Sequence, residues 1–330
     1  MLPPIEHRIA AELGVRPAQV NAAIALLDEG ATVPFISRYR KEATDGLDDT
    51  QLRNLEERQT YLRDLENRRK AIISSIDEQG KLTPELRAEV MNAETKQRLE
   101  DLYLPYKQKR RTKAQIAREA GIEPLALSLL ENPSLTPEEE ADKFLNAEAG
   151  FADSKAVLDG ARQILMEKFA EDAQLLGSLR EYLSEHGLVR STVVEGKEIE
   201  GAKFRDWFDF NEPVTSMPSH RALALLRGRN EGILQVALIL DSELDAEAAK
   251  PGTQNPCEQR IAVRFGIKPQ NRPADKWLTD TVRWTWKVKV YTHLELELMN
   301  ELRERAEEEA IRVFGRNLKD CCSLPPPASM

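Results

Sequence analysis

Leu47–Gln79 reads LDDTQLRNLEERQTYLRDLENRRKAIISSIDEQ. Leu52, Leu55, Leu62, Leu65, Ile72, Ile73 and Ile76 recur at helical spacing, and the opposite face is dense in Arg, Glu and Asp. Apolar residues three and four apart line one side of a helix, so the stretch predicts one long amphipathic helix. Asp48 or Asp49 supplies an N-cap acceptor, and Gly80 a backbone that can turn left-handed to stop it.

The same period continues on either side. Ile5–Leu13 and Pro17–Leu27 read as two helices about Gly14. Thr83-Pro84-Glu85-Leu86 opens another, with proline where its missing N–H costs nothing. Further helices are expected near Ser154–Ala170 and Ala173–His186, and one of about forty residues over Asp275–Phe314. The alternation of Trp284, Trp286, Val288 and Val290 also permits a local strand there. Leu188–Val194 and Ile233–Leu240 are short branched runs that suggest a small β element.

One phrase recurs three times: Ile9–Pro17, Ile116–Pro124 and, more weakly, Ile261–Pro269. Each carries Ile-Ala, then Gly at the sixth place, a β-branched residue after it, and Pro at the ninth. Glycine ends one helix, the branched residue plugs the corner, and proline opens the next. Such corners are ordinary architecture or, alternatively, units that read DNA. A groove-reading helix offers polar residues at its start. Gln19 and Asn21 meet that modestly, and Pro124–Leu127 does not.

The expected fold is mainly α: a multi-helix N-terminal region with helix-turn-helix units, a small irregular β element and a long C-terminal helix. The expected divisions are 1–70, the helix-turn-helix-like segment leading into the long helix; 71–186, helical with a basic loop; 187–274, mixed; 275–320, the long helix; and 321–330, an atypical tail.

The chain has 330 residues, 41% of them hydrophobic, 31% charged and 6% aromatic, with a formal charge of −9. No apolar run approaches the roughly 18 residues that span a bilayer, and no secretory leader pattern opens the chain. Three cysteines make no disulfide framework. A cytoplasmic location and no membrane partner are expected. Against the acidic whole, Leu102–Arg118 (LYLPYKQKRRTKAQIAR) holds six cations and no acid. Lys107, Lys109, Arg110, Arg111, Lys113 and Arg118 form a spot that a polyanion would touch first. The competing reading is a solvated loop paired with nearby glutamates.

Catalytic patterns are missing. There is no GxxxxGK[ST] or GxGxxG loop, and Arg227–Gly232 has the wrong spacing. No Cys/His set has metal-ligand spacing, and His7, His186, His220 and His293 are isolated. Ser219 beside His220 is adjacency rather than a triad. No enzyme activity, cofactor or metal is expected. The tryptophans of 277–286 read as core or an interdomain seat, with base stacking as the alternative.

Ala31–Asp48, ATVPFISRYRKEATDGLD, resembles a hallmark of the Tex family of bacterial transcription accessory proteins. Glu100–Thr112, EDLYLPYKQKRRT, resembles its second hallmark. Asp159–Leu165, Pro218–Ala224 and Arg227–Gly232 match further, and the resemblance runs from Ile5 to Asp320. It implies the N-terminal helical region of a nucleic-acid-binding protein whose RNase H-like, helix-hairpin-helix and OB-fold RNA-binding domains lie further on. Partners would be RNA or DNA, held weakly and salt-sensitively by this region, and the transcription machinery. Lys107, Lys109, Arg110, Arg111 and Lys113 are the first candidates for phosphate contact, with Arg38, Arg40 and Lys41 second. A buried ion-pair network beside a Pro34-Phe35-Ile36 core anchor is the alternative for Arg38–Glu42. A protein-interaction scaffold with no nucleic-acid binding of its own is the rival for the whole. After Asp320 the family would continue with an apolar stretch, where this chain has Cys321-Cys322-Ser323-Leu324-Pro325-Pro326-Pro327-Ala328. A set of codons for the expected stretch, read one base later, encodes this tail, so a frameshift or a genuine proline-rich end is expected there.

Overall fold

A computed structural model describes residues 2–107, 111–244 and 254–322, with side chains to 318. The 321–330 tail therefore falls outside the described side chains. The chain forms two compact units, Met1–Gln108 and Lys109–Met330.

The first unit is helical throughout: α1 (Ile5–Leu13), α2 (Pro17–Asp28), α3 (Val33–Tyr39), α4 (Asp49–Glu78), α5 (Pro84–Asn92) and α6 (Lys96–Tyr103). Helix α4 is the expected long helix, 30 residues or about 45 Å. Its cap is a reciprocal box: Gln51 N–H donates to Asp48 Oδ1 at 2.7 Å, and Asp48 N–H to Gln51 Oε1 at 3.1 Å. Its apolar stripe, Leu52, Leu55, Leu62, Leu65, Ile72 and Ile76, is buried with Ile9, Val20, Ile36 and Leu99. Its polar face is tied down by arginines. Arg58 pairs with Glu12 of α1, Arg63 with Asp28 of α2, and Arg68 with Glu100 of α6. The hydrogen bonds from these guanidinium groups hold all three carboxyls below the usual range. Arg69 is fully buried and donates to the carbonyls of Val90 and Ala93, which closes the end of α5.

The second unit begins with α7 (Lys113–Glu119), α8 (Glu123–Glu131), α9 (Pro137–Ala141), α10 (Ser154–Ala170) and α11 (Ala173–His186). Three antiparallel strands follow, β1 (Gly187–Val193), β2 (Asp209–Pro213) and β3 (Leu234–Leu240), in the order β2-β1-β3. Helix α12 (Ser219–Asn230) lies between β2 and β3 in sequence. Strand β2, DFNEP, has no branched or aromatic run to mark it and ends on proline, as edge strands tolerate. Helices α13 (Pro256–Arg264), α14 (Asp275–Trp284) and α15 (Tyr291–Cys322) complete the unit. Tyr291 Oη donates to the Leu238 carbonyl at 2.6 Å, and Leu238 N–H donates to Glu295 at 3.1 Å. One turn of α15 thus satisfies both backbone groups of Leu238 on the open edge of β3.

The single forty-residue helix is modified. Thr285–Val290, between α14 and α15, is π-helical, and the strand suggested for it does not form. The wider turn lets Trp286 and Val290 both face the core.

The three repeated phrases make one corner geometry. Val15 N–H donates to Ala10 O at 3.0 Å, Ile122 to Ala117 O at 3.1 Å, and Ile267 to Ala262 O at 2.8 Å. The intervening glycines have φ of 65°, 79° and 68°. Pro17 and Pro124 then sit in the first turns of α2 and α8. Pro269 opens no helix. Asp275 instead accepts from the N–H groups of Gln270 and Arg272 and delays the next helix to its own position.

Candidate nucleic-acid interface

The first hallmark folds as a knuckle. Val33 and Ile36 at one end and Thr44 and Leu47 at the other are buried. Gly46 N–H donates to Lys41 O at 2.9 Å, and Gln19 Nε2 to Asp45 O at 3.0 Å. Gln19 also caps the Arg16 N–H, so it braces this knuckle and has no free edge for reading bases. Between the anchors, Arg38, Arg40, Lys41 and Glu42 all stand exposed. They enter no ion pair among the described residues, and the buried network expected as an alternative does not form. Of Pro34-Phe35-Ile36, Ile36 alone is buried. Phe35 is 44% and Tyr39 73% exposed, with ring centroids 5.4 Å apart. Solvent-facing aromatic rings beside free cations can carry both stacking and phosphate contact.

The second hallmark ends the first unit. Leu99 and Leu102 are buried, Leu104–Tyr106 is a 3-10 turn, and Lys107 is exposed after it. Lys109 and Arg110 lie outside the described residues. Arg111 and Lys113, in the second unit, are exposed. Arg111 reaches Glu119 at 2.5 Å, which is the loop-to-helix pairing expected as the alternative. Arg118 turns inward to Glu123 and Glu167, both at 3.3 Å. Lys113 opens α7 with no ion pair among the described residues.

The other look-alikes are structural. Gly228 of the Arg227–Gly232 phrase packs α12 on β3, since a Cβ there would lie 2.5 Å from Leu234 Cδ1. Among the described residues no cluster of three or more His, Cys, Asp or Glu could hold a metal, and no helix is long and apolar enough to cross a membrane. Cys257 is buried, and its burial pushes the thiol up to about 12.

Reasoning on the sequence missed a cleft of about 660 Å³ in the second unit, lined by Lys113, Phe151, Lys155, Arg162 and Trp284 among others. Lys113, the Asp159–Leu165 match and Trp284 were each legible in the sequence, but nothing there joins them, because they come from α7, α10 and α14.

The fold is a helical two-unit protein whose described hallmark cations, Arg38, Arg40, Lys41, Lys107 and Arg111, face solvent. Residues 3–77 match the family described as Tex-like protein N-terminal domain, and residues 132–314 the one described as Tex central region-like. The chain belongs to the Tex family. It is 58% identical to Protein YhgF of Escherichia coli K12 over 318 residues, which covers 96% of this chain and 41% of that protein. It is 54% identical to Transcriptional accessory protein Tex of Neisseria gonorrhoeae, over 98% of this chain and 41% of that one. It is 28% identical to human S1 RNA-binding domain-containing protein 1, over 92% of this chain and 30% of that one. The chain thus spans about 41% of the length of its near relatives.

Proposed function

We propose that this chain is a nucleic-acid-associated region of a transcription accessory protein, non-catalytic in itself and working in the cytoplasm. Its phosphate contacts come from Lys107, Lys109, Arg110, Arg111 and Lys113, with Arg38, Arg40 and Lys41 as a second patch. The observation that carries this reading is the exposure of Arg38, Arg40, Lys41, Lys107 and Lys113 without ion-pair partners among the described residues. In an acidic protein whose other arginines are largely paired, free cations are where an anion gains most. The names of two relatives, one a transcriptional accessory protein and one RNA-binding, agree with it.

Fluorescence anisotropy of labelled RNA and DNA against salt tests the proposal. Binding should weaken with a slope of about −0.7 to −0.9 per phosphate neutralised. The triple variant Lys109→Glu/Arg110→Glu/Arg111→Glu should flatten that slope while helicity by circular dichroism stays intact. No binding at low salt by the folded protein refutes it.

A scaffold reading has one observation in its favour. A cleft of about 810 Å³ beside the start of α12 is lined by Met217, Leu223, Val313 and Phe314, and Phe314 is 65% exposed. Exposed apolar surface of this kind fits a protein partner.

A further inference from the structure

The cleft of about 660 Å³ has the makings of a nucleotide site. Its size falls in the range of roughly 300–1,000 Å³ typical of ligand pockets. Lys113 of α7 and Lys155 of α10 are exposed at its rim, with no ion pair among the described residues. Arg162 lines it too. One guanidinium nitrogen, Nη1, meets Asp159 at 3.1 Å, while its Nε is buried without a hydrogen-bond partner. Phe151 supplies an apolar wall, and Trp284 completes the lining.

Trp284 is the unexpected member. The neighbouring Trp277 and Trp286 are buried at 8% and 4%, whereas Trp284 is 52% exposed. It is the last residue of α14, immediately before the π-helical turn. That turn carries Thr285 and Trp286 into the core and leaves the Trp284 indole in the cleft. π-Turns often mark functional positions.

We propose that this cleft takes one unstacked nucleotide of a single-stranded nucleic acid, with the base on Trp284 and the phosphate at Lys113 and Lys155. This deepens the nucleic-acid reading above and rests on it. An indole face accepts any base, because every base has a π-face. The carboxylate of Asp159 would repel a phosphate, so the backbone lies on the lysine side. The Arg162–Asp159 pair offers donors and an acceptor together, and it suits the polar edge of a base. Duplex is excluded, since its bases are stacked and paired and cannot enter a cleft singly.

The test uses the 330-residue chain with labelled oligo(U), oligo(dT) and a duplex of equal length. Trp284→Ala should weaken both single strands by about 5- to 150-fold, the worth of one base–aromatic stack. Duplex binding should stay unchanged, and Trp284→Phe should recover most of the loss. Arg162→Gln should weaken single strands and leave duplex alone. Irradiation of a 5-iodouracil oligomer should cross-link to Trp284 or Phe151, mapped by mass spectrometry. If Trp284→Ala binds single strands as wild type does, while charge reversal at 109–111 abolishes binding, the cleft proposal falls and the nucleic-acid reading stands. If the wild-type protein binds no nucleic acid, both fall.

Discussion

Replacing Arg69 should cost the first unit far more than replacing any of the arginines beside it on α4. Its side chain is 2% exposed. It donates to Val90 O and Ala93 O, the latter at 2.8 Å, and pairs with Glu66 at 3.1 Å. Glu66 keeps a second partner, Arg8, at 3.7 Å. The loss therefore falls on the carbonyls at the end of α5: Ala93 O loses its side-chain donor, and Val90 O is left with the Ala93 N–H at 3.4 Å. Each buried acceptor left without a donor costs about 1–3 kcal/mol. Removing the buried charge offsets part of that in Arg69→Met, which leaves roughly 2 kcal/mol. Arg69→Ala also opens a cavity and should cost about 3–5 kcal/mol. Because the chain has two units, global melting would blur the effect, and hydrogen exchange read by mass spectrometry resolves it. Peptides covering 84–93 should lose about 30-fold of their protection in Arg69→Met, whereas Arg63→Met should change little, as exposed pairs do. Protection of 84–93 within twofold of wild type in both Arg69 variants would refute the capping role.

Two glycines separate packing from propensity. Gly228→Ala puts a Cβ 2.5 Å from Leu234 Cδ1 and should destabilise by about 1–3 kcal/mol; Gly177→Ala in α11, with nothing within 4 Å, should stabilise by about 0.5–1 kcal/mol, both read as shifts in thermal midpoint. Cys257 gives a pH signature. Burial lifts its folded thiol to about 12, above the unfolded value of about 8.5, so its contribution is complete below pH 8.5 and is lost as pH rises toward 12. Over that window wild type should lose about 1.4 kcal/mol per pH unit relative to Cys257→Ala, measured by urea denaturation of both proteins across that range.

Helix ends were the most legible feature, because capping is local. Asp153 before α10 and Asp172 before α11 accept from the N–H three residues on, and both helices start where the periodicity placed them. Legibility failed where a distant group decides. Pro269 looks like a helix opener, and only Asp275, six residues on, shows why it is not. Strand β2 exists because β1 offers it partners, from Leu188↔Pro213 to Thr192↔Asp209, and DFNEP alone carries no strand signal. The free cations of the hallmarks were readable as charge, but their freedom was not. Lys107 and Arg111 look alike in sequence, and the position of Glu119 two turns along α7 separates them.

That separation bears on how an acidic chain can meet a polyanion. On α4 the arginines 53, 58, 63, 68 and 69 each have a carboxylate partner. Exposed pairs contribute little stability, about 0–1 kcal/mol, so their effect is to orient helices and to remove positive charge from the surface. Among the described residues, the exposed cations outside these pairs include Arg38, Arg40, Lys41, Lys107, Lys113 and Lys155. Arg111 is intermediate: its pair with Glu119 is exposed on both sides, at 67% and 45%, and the bond to Arg111 is the main cause holding the Glu119 carboxyl below its usual range. A phosphate brought in by Lys113 would compete with Glu119 for the same guanidinium at small cost. On the proposed function, Arg111 would join the interface only when a polyanion is present. Glu119→Gln, which frees it beforehand, should tighten nucleic-acid binding and steepen its salt dependence.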